Sequence, residues 1–148
     1  MHYSVGRMHV PRVLIADSDP HLRQLIYSAL LAVDVFSDCV GTVPDALDKL
    51  REEAYGVVVV DVALPDGDPE QIVARIAEIG RDERPVVLVL ASNPAAARSL
   101  DVDVVQIVLR KPIALRQTVE LIRSCVQSAP ARVAPPEDED GAGPQVIS

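Results

Sequence analysis

The sequence predicts an α/β domain with a five-stranded parallel sheet and helices on both of its faces. Three observations carry this expectation. Short apolar runs, above all Val57-Val58-Val59-Val60, read as strands buried on both faces, as in a parallel sheet between helices. These runs alternate with segments of helical periodicity through short connections, which calls for right-handed crossovers. Four of the five runs also end in a polar group: Asp17-Ser18-Asp19, Asp61, Ser92 and Lys111.

Taken in order, residues 1–9 carry no periodicity and read as a flexible lead-in, with Met1 and Met8 both candidate starts. Val10 to Ala16 is the first strand. Asp19 followed by Pro20 is a favoured helix start, and Leu22, Leu25, Ile26, Ala29 and Leu30 form the inward stripe of a helix over about 20–32. Val33 to Val40 is a weaker second strand, and Pro44 opens a helix near 44–53 with Ala46, Leu47 and Leu50 inward. Gly56 opens the third strand, which closes on Asp61 ahead of a Pro65-Asp66-Gly67 turn. Asp68-Pro69 repeats the cap-then-proline pattern for a helix to about 79, stopped by Gly80. Pro85 to Ala91 is the fourth strand, Asn93-Pro94 starts a short helix to Leu100, and Val104 to Leu109 is the fifth strand. Leu115, Val119, Ile122 and Val126 line a last helix over about 114–127. The tail, 128–148, turns to Pro, Ala, Gly and an acidic run at 137–140, a disordered composition. That run reads as solvated, with a basic partner as its one conceivable dock.

Composition narrows the function. The chain has 148 residues, enough for one domain that buries about two-thirds of its unfolded surface. With one Phe, three Tyr and no Trp, its core must be aliphatic. The formal net charge of −8, without a Lys/Arg cluster, argues against a nucleic-acid surface. Cys39 and Cys125 have no metal spacing and read as small core residues of a reducing cytosol. No apolar run approaches membrane length and no signal-peptide core opens the chain, so a cytoplasmic protein is expected, without a membrane partner. His2, His9 and His21 read as surface residues.

In a parallel sheet the polar strand ends share the carboxyl edge, where open α/β folds bind ligands. Any one of them alone has a structural reading: Asp61 or Asp19 as a cap, Ser92 as a cap before Pro94, Lys111 as a surface lysine. Their recurrence at successive strand ends favours a site. Gathered carboxylates repel unless a cation neutralises them, and an acidic oxygen pocket suits magnesium, which keeps waters and shares phosphate oxygens. A lysine and a hydroxyl alongside suit a phosphoryl group. The chemistry implied is phosphoryl transfer to a carboxylate.

Over residues 10–127 the sequence resembles the CheY-like receiver domain of response regulators in two-component signalling. The resemblance rests on Val13-Leu14-Ile15-Ala16-Asp17-Ser18-Asp19-Pro20, Val58-Val59-Val60-Asp61 with Leu64-Pro65-Asp66-Gly67, Leu88-Val89-Leu90-Ala91-Ser92, and Lys111-Pro112. It implies a flavodoxin-like fold with strand order 2-1-3-4-5. It also implies Asp61 as phospho-acceptor, served by a histidine kinase or phosphotransferase. Ser92 and Lys111 would bind the phosphoryl group, Asp17 and Asp61 would hold magnesium, and the bond to Pro112 would be cis. No turnover is implied beyond phospho-acceptance and its reversal. A stand-alone receiver would signal through the face of its fourth helix, fifth strand and fifth helix, or relay the phosphoryl group.

Three departures bear on this. Ser18 stands where the family has a second acid, which weakens magnesium binding unless Asp19 rotates in. Val108 replaces the aromatic switch three residues before the lysine. Only 19 residues separate Ser92 from Lys111, which clips the fourth helix. These departures favour an alternative reading as an interaction module independent of phosphorylation. A remote alternative is a haloacid-dehalogenase-type phosphohydrolase built on Asp17-x-Asp19, although His21 stands where that family has Thr and Asp61 would be idle.

Overall fold

Two aliphatic cores, one on each face of a single parallel sheet, explain the unbroken valine run. The computed structural model describes residues 8–9, 11–128 and 132–133. The sheet strands are β1 (Arg12–Ala16), β2 (Ser37–Val40), β3 (Tyr55–Asp61), β4 (Val86–Ala91) and β5 (Val105–Arg110), in spatial order β2-β1-β3-β4-β5. Every neighbouring pair is parallel. This is the 2-1-3-4-5 order of the flavodoxin-like fold. All seven residues of β3 are buried. Val58 and Val60 enter one core with Leu14, Ala46, Leu50, Ile72 and Ile76, while Val57 and Val59 enter the other with Ile15, Ile26, Leu30, Leu88 and Ile122. Successive side chains on a strand point to opposite faces, so a strand with a core on each side must be apolar throughout.

The helices are α1 (Pro20–Leu31), α2 (Val43–Glu52), α3 (Glu70–Ala77) and α4 (Leu115–Ser128). Asp19 caps α1, Thr42 caps α2, and the Asp68 carboxylate accepts the Glu70 N–H. The fourth crossover is made by a 3-10 turn, Pro94–Ala97, capped by Asn93, rather than by an α-helix. Ala97, Leu100 and Val104 still fill the core beneath it, so those three residues supply the burial that a longer helix would otherwise provide.

Three expectations need correction, and a fourth gains a physical reason. The second strand starts at Ser37, because Val33 and Asp34 close a turn after α1 in which Asp34 adopts φ 64. Leu25 lies on the helical stripe yet is 42 % exposed, because it sits at the flank of α1 rather than over the sheet. Cys39 and Cys125 are only half-buried, packed against one core rather than inside it. The Pro-Asp-Gly turn is present, but Gly67 at φ 153 serves it by close approach as well: a Cβ there would come within 3.0 Å of Val43 and 2.9 Å of Gln71.

Residues 12–129 form one compact unit. Of the residues expected as lead-in (1–9) and tail (128–148), most lie outside the described ones; Met8–His9 and Arg132–Val133 pair as short antiparallel strands. Among the described residues no helix is long and apolar enough to cross a membrane.

Candidate functional site

Sheet register brings the site together. Ala16 at the end of β1 lies opposite Val60 on β3, so the next residues, Asp17 and Asp61, emerge side by side at the carboxyl edge. Both are buried. Each uses its Oδ1 atom to hold its own turn: Asp17 accepts from the Asp19 N–H at 2.9 Å, and Asp61 from the Ala63 N–H at 2.9 Å. That leaves Oδ2 of each facing a third group. Past the end of β5 the Lys111 N–H donates to the Ala91 carbonyl, and the Lys111–Pro112 peptide is cis. The ammonium lies 2.7 Å from Asp61 Oδ2, to which it donates a hydrogen bond, and 2.8 Å from Asp17 Oδ2. The second contact is an ion pair whose geometry falls short of a hydrogen bond, so this buried Asp17 oxygen has no donor.

Two carboxylates thus share one ammonium, and the cluster keeps an uncompensated negative charge. Burial pulls the Lys111 pKa down, but the close Asp17 contact, the Asp61 hydrogen bond and the charges of both acids outweigh it and hold the group above the ordinary lysine value. The lysine is therefore a fixed cation at neutral pH.

The remaining candidates stand at the rim. Ser92, past the end of β4, is exposed and lines a cavity of about 390 Å³ with Asp19, His21, Lys111 and the Pro112–Ile113 segment. Ser18 is exposed. Asp19 lines the same cavity, but its Oδ1 accepts from the His21 N–H at 2.9 Å and the Leu22 N–H at 3.4 Å, so that oxygen holds the first turn of α1. Val108 on β5 is 40 % exposed. Among the described residues no group of three or more His, Cys, Asp or Glu could hold a metal ion. Two carboxylates nonetheless suffice for magnesium, which keeps several waters and binds through one or two of them, and the orphaned Asp17 oxygen fits that role. Sequence reasoning missed Arg23, whose Nη1 donates to the Asp17 carbonyl at 2.7 Å. No spacing in the sequence signals this contact, because Arg23 and the Asp17 carbonyl meet only once α1 has folded back on the end of β1.

Residues 13–123 match the family model of the response regulator receiver domain. The chain belongs to that family. Among curated receiver relatives, it is 26 % identical over 120 residues to the response regulator receiver protein CpdR of Brucella abortus, covering 80 % of this chain and 98 % of that one. It is 26 % identical over 117 residues to the transcriptional regulatory protein PmrA of Pectobacterium parmentieri, covering 78 % of this chain but only 52 % of PmrA. The receiver domain of the sensor histidine kinase PA1611 of Pseudomonas aeruginosa, solved with a magnesium ion in its active-site cleft, superposes with a TM-score of 0.69. That match has 16 % identity and covers 81 % of this chain and all of the other.

Proposed function

We propose that this receiver accepts a phosphoryl group on Asp61 from a phosphohistidine of a histidine kinase or phosphotransferase. The observation that carries the reading is the Lys111 ammonium 2.7 Å from an Asp61 oxygen at the carboxyl edge. An Asp61 carboxylate oxygen forms the new O–P bond as the donor's N–P bond breaks and the imidazole leaves. Lys111 is placed to stabilise charge on the phosphoryl oxygens, and the Ser92 hydroxyl to donate to one of them. Magnesium would be held by Asp17 and Asp61, with Ser18 able to add only a neutral hydroxyl, and when bound it neutralises charge on the phosphoryl oxygens. The magnesium-bound PA1611 receiver supports this assignment. The 26 % identity to CpdR, matched over 98 % of that receiver protein's length, supports the receiver reading. This chain's signal would leave by protein contact through β5, α4 and the Pro94–Ala97 turn, or by relay of the phosphoryl group.

A second reading, an interaction module that needs no phosphate, is favoured by Ser18, by the exposed Val108 and by the 3-10 turn. One experiment decides between the two. Incubation with acetyl phosphate across a magnesium titration, read by intact mass, should give one adduct on the wild type and none on Asp61→Asn. A wild type that stays unmodified at every magnesium concentration gives the second reading the field.

A further inference from the structure

After β1, Ser18 is neutral and Asp19, at the cavity rim, spends its Oδ1 on the cap of α1, so Asp17 is the acid of this turn that meets Lys111. The placement of Asp17 therefore matters more here than it would beside a second acid. Its backbone stands one residue beyond the last ladder pair. The N–H still finds the Val40 carbonyl, at 3.1 Å, but the carbonyl's hydrogen bond comes from the Arg23 side chain, at 2.7 Å. The same guanidinium passes over Gly41. A Cβ built at Gly41 would lie 2.8 Å from Arg23 Nη1 and 3.6 Å from its Cζ, with the Asp17 carbonyl oxygen next at 3.9 Å. No left-handed backbone angle is involved, so space for the guanidinium is what glycine provides at this position.

We propose that Arg23 and Gly41 form a latch that positions Asp17. The guanidinium fixes the Asp17 carbonyl, and with it the direction in which the carboxylate leaves the backbone, from a seat that a Cβ at 41 would make it shift out of. This rests on the reading of Asp17 as a magnesium ligand of the phospho-acceptor site. Arg23 is a positioning residue: it reaches the chemistry only through Asp17, and it ties α1 to the turn after β1 and to the end of β2.

The test uses the full chain, magnesium chloride alone in calorimetry, and acetyl-phosphate labelling at limiting and saturating magnesium. Arg23→Ala and Gly41→Ala should each weaken magnesium binding about tenfold, the usual worth of one charged hydrogen bond, and saturating magnesium should restore labelling. The double variant should be no weaker than Arg23→Ala, because without the guanidinium a Cβ at 41 meets the Asp17 carbonyl only at an ordinary contact distance of 3.9 Å. Additive losses, or wild-type magnesium affinity in Arg23→Ala, overturn the latch. If Arg23→Ala does not fold, Arg23→Lys takes its place; it keeps the charge without the planar reach and should still weaken magnesium binding. A wild type that labels while both variants match its magnesium dependence sinks the latch alone. A wild type that neither binds magnesium nor labels sinks the reading of the site, and the latch with it.

Discussion

The sheet carries an ionic cluster at each end, and the two are built on opposite terms. At the amino end, Asp38 on β2 receives Arg12 Nη2 at 2.9 Å on one oxygen and the Tyr55 hydroxyl at 2.7 Å on the other. Cation and anion balance, and the atom left over is a donor, the buried Arg12 Nε. Burial raises the Asp38 pKa, but the two hydrogen bonds outweigh it and hold the carboxyl below its ordinary value, while burial and Asp38 push the Tyr55 hydroxyl well above the phenol range. At the carboxyl edge two acids share one lysine, and the atom left over is an acceptor, Asp17 Oδ2. The first cluster is closed and staples β2, β1 and β3. The second is one positive charge short, which is how a site differs from a staple.

Neutralising an acid at each end tests this contrast most directly. Asp61→Asn should abolish the phosphoryl adduct entirely in intact mass, yet leave the thermal midpoint level or raised, because one like charge has gone and Lys111 keeps Asp17. A large loss of stability would mean that the carboxyl-edge cluster is a staple after all. Lys111→Met should be the costliest change to the fold, about 3 kcal/mol by denaturant titration, because two buried carboxylates lose their counter-ion. Added magnesium should recover part of that loss, since a ligand of the folded state alone stabilises it. Asp38→Asn should cost about 1–2 kcal/mol, toward the low side because the Arg12 side chain is 38 % exposed and partly screened. Its labelling at saturating magnesium should match the wild type. Smallest of all, Tyr55→Phe should cost about 1 kcal/mol with labelling untouched.

The clusters should also part on a pH axis. Asp38 has a depressed folded pKa, so its contribution is present above the unfolded value of about 4 and is lost as pH falls through the folded one. Lys111 has a raised folded pKa, so its contribution is complete below about 10.4 and is lost as pH rises through the folded value. Asp38→Asn should therefore flatten the acid limb of a stability profile and Lys111→Met the alkaline limb. An acid limb unchanged in Asp38→Asn would assign acid sensitivity to other carboxylates.

The carboxyl edge was legible in the sequence because parallel strands that end in polar residues leave a pattern: Val60 before Asp61, Ala91 before Ser92, a lysine-proline pair after β5. The amino-end cluster was not, because Arg12, Asp38 and Tyr55 join only through register, with Arg12 opposite Tyr55 across β1 and β3. Asp19 marked both a helix cap and a possible metal ligand, and only coordinates show its carboxylate on the His21 and Leu22 amides. Leu25 has the periodicity of a core residue, but periodicity gives the face of a helix and not how far its neighbours reach. The Arg23–Gly41 contact falls between two turns and leaves no spacing to read.

Burial along the strands has a bearing on how a message could leave. β3 is closed to solvent over its whole length, whereas β5 alternates half-buried and exposed residues along an open margin. Asp61 thus closes the most fully buried strand of the sheet and Lys111 follows the most exposed one. When charge on the aspartate changes, we expect the lysine's strand to yield and the valine strand to stay. Amide exchange should then quicken or slow along Val105–Arg110 while Val57–Val60 keeps its protection.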